Sequence, residues 1–257
     1  MINLLYDKNA NPALRNRFEG KSIFSMQTGP SLNDLDWQQM QGRFTFSIKK
    51  LPITHLVPTI WLCMEKQQEM PYQIWENKEL IKLVTQEVYD KGYMQPQGTG
   101  PKPIFRMAPI TTRKNVYWFK LAQKYKSETY FSDDAVQWGN DSHAVDEHGI
   151  QGRRSIMLAH FRLLHHIGFR KIYLLGVDFQ MDAAKPYCYE RVKAPSACSQ
   201  NNLLYESLKV RLAALYPEML KAGLEVFNCN PNSKLEVFPY CSFEDALNDK
   251  DTCLHRN

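Results

Sequence analysis

Three short stretches gather the side chains that chemistry needs, and each one ends an apolar run. They are TGPS from Thr28, GVDFQMD from Gly176 and NCNPNS from Asn228. In the first, Gly29 lets backbone come close to a ligand, while Ser31 and the amides around it can meet phosphate or ribose oxygens. The same residues also make a plain strand-to-helix turn with Pro30 inside and a serine cap. In the second, Asp178 can contact ribose hydroxyls, a metal or a nucleophilic hydroxyl, or it can stabilise an Asx-type turn. In the third, Asn228, Asn230, Asn232 and Ser233 carry amides and a hydroxyl suited to a nucleobase edge, with Pro231 stiffening a loop that is also ordinary turn chemistry.

The histidines raise a metal question. His143 and His148 flank Asp146 and Glu147, and His160, His165 and His166 share one helical run. None has the H-E-x-x-H spacing, so no metal centre is expected and the helical histidines are placed on a solvent-facing or partly buried surface. His148, in a loop near Arg153, is a candidate general base. Arg153 and Arg154, near a helix start, make either a phosphate clamp or a solvated pair. Gly98-Thr99-Gly100 lacks the Lys-Ser/Thr of a P-loop, and the prolines around it remove backbone donors, so residues 92–103 read as a surface loop or lid.

These groups need elements to position them. Residues 23–26, 44–48 and 59–63 are short apolar runs with β-branched or aromatic members, as strands of a buried sheet should be. A helix or helical turn is expected at 32–40 and a polar helix at about 77–89. Residues 117–138 are rich in aromatics and charges without a readable period. From 153 to 179 the signal is stronger: Ile156, Ala159, Leu163 and Ile167 recur at helical spacing, Gly168 stops the helix, and 171–175 is a buried strand. A long helix at 201–220 and a strand at 224–228 follow. The alternation predicts an α/β fold, a Rossmann-like domain over 1–257 whose mainly parallel sheet is flanked by helices, with an inserted loop or lid at about 66–150. Ligands of such sheets bind beyond the C-terminal strand ends, so the three loops should converge on one edge.

Composition narrows the class. Of 257 residues 44% are hydrophobic and 23% charged, which is globular rather than disordered. The N-terminal residues lack a secretory apolar core and no apolar run spans a membrane, which points to a cytoplasmic protein. Six cysteines without a C-x-x-C pair read as reduced thiols. A net charge of +5 suits a phosphate-bearing ligand, but the basic residues are scattered among acids, which permits nucleic acid without arguing for it.

Taken together the motifs resemble a known group. GPSLNDLDW at Gly29 is similar to a G-N-G-P-S-L nucleotide loop. SIMLAHFRLLHHIGFRKIYLLGVDF resembles a helix-Gly-strand-Gly-x-Asp-Phe element, and EVFNCNPNSKL resembles a late strand with a Pro-Asn-Ser loop. The group holds bacterial sialyltransferases that use CMP-sialic acid, the archaeal-type 6-hydroxymethyl-dihydropterin pyrophosphokinases and the flagellar motility accessory proteins. The resemblance spans residues 22–238 and implies a Rossmann-like domain binding a nucleotide donor.

By that resemblance Thr28, Gly29, Pro30 and Ser31 floor the pocket, and the Asn230–Ser233 loop faces the donor's base or ribose. Arg153 with Ser155 sits near acceptor or donor, and Lys49 makes a polar donor contact. Thr28 stands where the family has Asn, which alters one amide contact. Gln180 stands where the sialyltransferases have a tyrosine after Asp-Phe, Tyr187 or Tyr189 can serve as the second tyrosine supporting the leaving phosphate, and residues 193–202 lack the family's histidine. The implied function is a glycosyltransferase with a nucleotide-activated sugar donor. Asp178 or His148 would be the base towards a hydroxyl on a glycan, a metabolite or a modified DNA base, and Arg153, Lys185 or Tyr187 would stabilise the phosphate. No cofactor is required. The alternatives are a pyrophosphokinase-like transferase with Mg²⁺ on Asp178 and Asp182, and a non-catalytic nucleotide- or glycan-binding module. Relatives of this kind often assemble into oligomers.

Overall fold

The computed structural model describes residues 2–54, 56–64, 70–97, 104–122, 125–139, 155–189 and 193–254. In chain order the first elements are β1 (Ser22–Met26), β2 (Thr45–Ile48), α1 (Leu51–Thr54), β3 (Ile60–Cys63) and α2 (Tyr72–Glu76). Then come β4 (Ile81–Thr85), α3 (Gln86–Lys91), β5 (Tyr93–Gln97), β6 (Ile104–Ala108) and β7 (Val116–Phe119). The last are α4 (Ile156–Ile167), β8 (Lys171–Leu175), α5 (Pro195–Lys221), β9 (Glu225–Asn228) and α6 (Phe243–Asn248).

Seven strands form one sheet in the order β7-β4-β3-β2-β1-β8-β9, and every pairing in it is parallel. The chain first works outward from β1 to β7, then crosses to the other side of β1 for β8 and β9. The order therefore reverses between β1 and β8, whose register runs from Ser22 opposite Lys171 to Met26 opposite Leu175. This is a Rossmann-like, doubly wound α/β sheet, with the topological switch point at that pair. Burial on both faces is what lets β1, β2 and β3 be nearly uninterrupted apolar runs.

The core divides along the sheet. The larger cluster packs β1, β2, β8 and β9 against α4 and α5 through residues such as Phe24, Phe46, Phe161 and Leu212. A second cluster at the β3–β4–β7 end holds Trp61, Trp75 and Tyr93, with the two indoles meeting edge-on at 5.1 Å. Of residues 66–150, β4 and β7 belong to the main sheet, whereas β5 and β6 form a separate antiparallel hairpin. Among the described residues no helix is long and apolar enough to cross a membrane.

Residues 92–103, read from sequence as a loop, begin with strand β5, whose Tyr93 is buried and pairs with Ala108. Two larger expectations also change. Residues 77–89 contain a buried strand, β4, and not one polar helix. The disguise is Lys82, whose side chain is fully buried. Its ammonium donates to the carbonyls of Asn77 at 2.5 Å, Leu80 at 3.1 Å and Lys114 at 3.1 Å, so a charged residue is satisfied inside a sheet. Lys82→Met is expected to strand those carbonyls and to lower stability by roughly 2–3 kcal/mol. A urea midpoint equal to the parent's would refute this.

The second change concerns the helical histidines. Ser155 caps α4 by accepting from the Met157 amide at 3.2 Å, and Gly168 ends it in the left-handed region at φ +116°. Between these stops nearly every residue is covered, including His160 and His166, and not only the apolar stripe. The surface assigned to these histidines from sequence is therefore interior, because α4 lies between the sheet, the N-terminal residues near Ala13 and the 125–138 segment.

Candidate functional site

The chain that leaves β1 does not enter an α-helix. It makes two short 3-10 turns, Pro30–Asp34 and Trp37–Met40, so the dipole of a long helix is not what this turn offers a ligand. What it offers is a tightly held backbone. Gly29 N donates to Gly176 O at 2.9 Å, tying the loop after β1 to the loop after β8. Ser31 N donates to Asp178 Oδ2 at 3.3 Å, and Asn230 Nδ2 donates to Asp178 Oδ1 at 2.9 Å and to Ser31 Oγ at 3.2 Å. One carboxylate thus joins three strand ends.

That junction explains Gly29. A Cβ there would lie 1.8 Å from Asp178 Oδ2 and 2.5 Å from Gly176 O, so glycine is required by the neighbouring carboxylate and carbonyl, with an ordinary φ of −72°. The loop after β9 is equally self-satisfied. Buried Asn228 donates to Leu235 O at 3.2 Å, Ser233 Oγ donates to Val177 O at 2.5 Å, and Asn232 N donates to Asn230 Oδ1 at 2.9 Å.

Beside this junction opens a cavity of about 300 Å³. Its strand-end wall comprises Gln27, Thr28, Gly29, Lys49, Asp178 and Gln180, with Tyr187 on the following loop. Its helical wall comprises Ile156 and Met157 at the start of α4 and Leu204, Tyr205 and Leu208 on α5, with Trp138, Met64 and Met181 beside them. Lys49 and Phe179 both hold left-handed backbones, φ +54° and +53°, a conformation side chains resist and one that clusters at functional sites.

The electrostatics centre on Tyr187. The ammonium of Lys49 lies 5.4 Å and that of Lys193 5.6 Å from its ring centroid, and Lys193 Nζ also donates to the Tyr187 hydroxyl at 3.2 Å. Tyr189 stacks on the same ring at 5.4 Å with the planes 2° apart. Burial pushes the Tyr205 hydroxyl and the Cys188 thiol each up to about 12, so both are neutral around pH 7. A carboxylate offers about four lone-pair positions, and Asp178 uses two of them, so it can still accept from a ligand hydroxyl.

Of the residues singled out from sequence, Thr28, Gly29, Lys49, Ser155, Asp178, Gln180 and Tyr187 line the cavity. Ser31, Asn230 and Ser233 stand behind them through hydrogen bonds, Pro30 opens the first 3-10 turn, and Asn232 is exposed. His148, Arg153 and Arg154 lie outside the described residues, as do His143 and the 98–103 loop. Sequence reasoning missed the helical wall and Lys193. The spacing of Leu204, Tyr205 and Leu208 on one face of α5 was the available signal, and Trp138 closes the aromatic-rich 117–138 run already visible in the sequence.

No protein-family model matches the chain, and no curated protein sequence does. Two solved structures are similar to it at low identity. The MAf glycosyltransferase from Magnetospirillum magneticum AMB-1 is 13% identical with a TM-score of 0.48, the match covering 98% of this chain and 39% of that one. This chain therefore spans about two-fifths of that protein. The sialyltransferase CstII from Campylobacter jejuni, in complex with the substrate analogue cytidine-5'-monophosphate, is 12% identical with a TM-score of 0.45, covering 87% of this chain and 86% of that one.

Proposed function

We propose that the cavity binds a nucleotide-activated sugar and that the chain transfers the sugar to a hydroxyl acceptor. The observation that carries this reading is the position of the cavity at the switch point, with two ammonium groups converging on Tyr187 in its wall. Cations and a phenol at one end suit a phosphate that gains charge as it departs. The motif resemblance over residues 22–238 supplies the donor class.

In this scheme the acceptor oxygen forms a bond to the anomeric carbon while the bond from that carbon to the phosphate oxygen breaks. The leaving nucleotide keeps the electron pair, stabilised by Lys193, Lys49 and the Tyr187 hydroxyl. The acceptor proton passes to Asp178 or to His148. Thr28 and Gly29 support the donor, Ser155 and Gln180 line the cavity beside it, and the loop carrying Asn230 holds Asp178 in place.

Titrating the protein with CMP, UDP, GDP, ADP and ATP, each with and without Mg²⁺, tests the reading, because a ligand of the native state raises apparent stability. A metal-independent thermal shift with CMP or UDP is expected, followed by release of that nucleotide from the matching sugar donor. A shift with ATP and Mg²⁺ alone would transfer the case to a pyrophosphokinase. Binding without turnover would mark a binding module, and no shift at all would remove the nucleotide pocket.

A further inference from the structure

The two walls of the cavity differ in a way that bears on the acceptor. The loops after the strands mix the polar Gln27, Thr28, Lys49, Asp178 and Gln180 with Ile48, Val177, Phe179 and Met181, whereas the helical side, with Trp138, presents Ile156, Leu204 and Tyr205 and little that is polar. Trp138, Ile156, Leu204 and Tyr205 are only partly covered, and Trp138, Ile156 and Tyr205 pack on the core. Their uncovered surface contributes to one concave site, which is where apolar area awaits a ligand.

Polar groups bordering this wall are already engaged within the protein. Asn202 accepts from Met181 N at 2.8 Å and donates to Met181 O at 3.1 Å, so its amide serves that loop from both ends. Ser155 Oγ accepts from the Met157 amide, and Ser155 N donates to Trp138 O at 2.7 Å. Phe179 and Tyr205, which both line the cavity, stack on each other at 4.8 Å with planes 26° apart, so the wall is already aromatic beside Asp178. Met64, Met157 and Met181 add thioethers, which adapt their shape and pack well on rings.

A polyol seated on such a wall would leave hydroxyls without partners, whereas a planar ring loses little and gains stacking. We infer that the acceptor subsite takes a hydroxyl-bearing aromatic or heteroaromatic ring, whose hydroxyl points from the apolar wall towards Asp178 and Tyr187. This rests on the proposed function for its division into donor and acceptor halves. Leu204 and Trp138 are then specificity-determining residues, and they select the ring without taking part in the transfer.

Calorimetric titration with 4-methylumbelliferone, an aromatic alcohol, and with methyl β-galactoside, a polyol, tests the inference in the presence and absence of CMP. The aromatic alcohol is expected to bind whether or not CMP is present, and the galactoside to give no heat. Leu204→Arg is expected to weaken the aromatic alcohol by about tenfold or more while CMP binding and the melting temperature stay near the parent's. Trp138→Ala should act in the same direction, which guards against a folding defect in either variant. Displacement of the aromatic alcohol by CMP would overturn the inference, because the wall would then hold the nucleobase. So would galactoside binding in its place. If CMP fails to bind while the aromatic alcohol binds and responds to Leu204→Arg, the donor reading falls and the ring-binding wall stands.

Discussion

Acidifying the protein from pH 6.5 to 5 is expected to remove about 4 kcal/mol of stability, taking roughly 1.4 kcal/mol per pH unit for each of three histidines and discounting the less covered one. Burial holds His160 down at about 3, and it holds His165 and His166 at about 4 with help from the nearby Arg162 and other cations. Geometry says why. His160 Nδ1–H donates to Met157 O at 2.6 Å and His165 Nε2–H donates to Ala222 O at 3.0 Å. The second nitrogens of both rings, and Nε2 of His166, are buried without a hydrogen-bond partner among the described residues. A proton arriving there would place a charge in the core with nothing to receive it. Because the folded pKa values lie below the unfolded one near 6.5, the unfolded chain binds more protons in this window. The stability is therefore complete above pH 6.5 and is lost as pH falls towards 4. Urea midpoints at pH 7, 6 and 5 measure the slope. His160→Phe, which keeps a ring beside Phe46, should flatten it by about a third, and an unchanged slope would show that His160 does not carry its share.

The other large effect belongs to Gly29. Gly29→Ala is expected to cost roughly 1–3 kcal/mol of stability, as overpacking does when neighbours cannot move, and to abolish or severely weaken the nucleotide binding proposed above. Neither neighbour has room to yield. Gly176 O already accepts from Gly29 N, and the Asp178 carboxylate is fixed by Ser31 and Asn230. Adding Asp178→Gly in the same chain removes the nearer of the two clashes, so the double variant should recover part of the stability without recovering turnover. Denaturation and CMP titration of both proteins decide the matter. A Gly29→Ala protein with parental stability and affinity would mean that the three loops do not meet as described.

Much of this molecule was determined by sequence alone. The apolar strands β1, β2, β3 and β8, the Gly168 stop of α4 and the alternation of helix and strand follow from periodicity and stop signals that act over a few residues. That Asp178, Gly29 and the Asn230 loop share one edge also followed, because ligand loops of a parallel sheet gather at its C-terminal end. β4 stayed hidden, since a lysine inside a strand reads as solvent-facing until distant carbonyls, one of them at Lys114, are seen to receive it. The histidines of α4 misled for a related reason: a neutral imidazole can be buried, and only the packing around it says whether it is. The meeting of Lys49 and Lys193 on Tyr187, and of Leu204 and Tyr205 with Trp138, was decided by tertiary structure. Lys49 lies far along the chain from Tyr187, as Trp138 does from Leu204 and Tyr205, and their proximity depends on how the elements pack, a long-range outcome that no local spacing encodes.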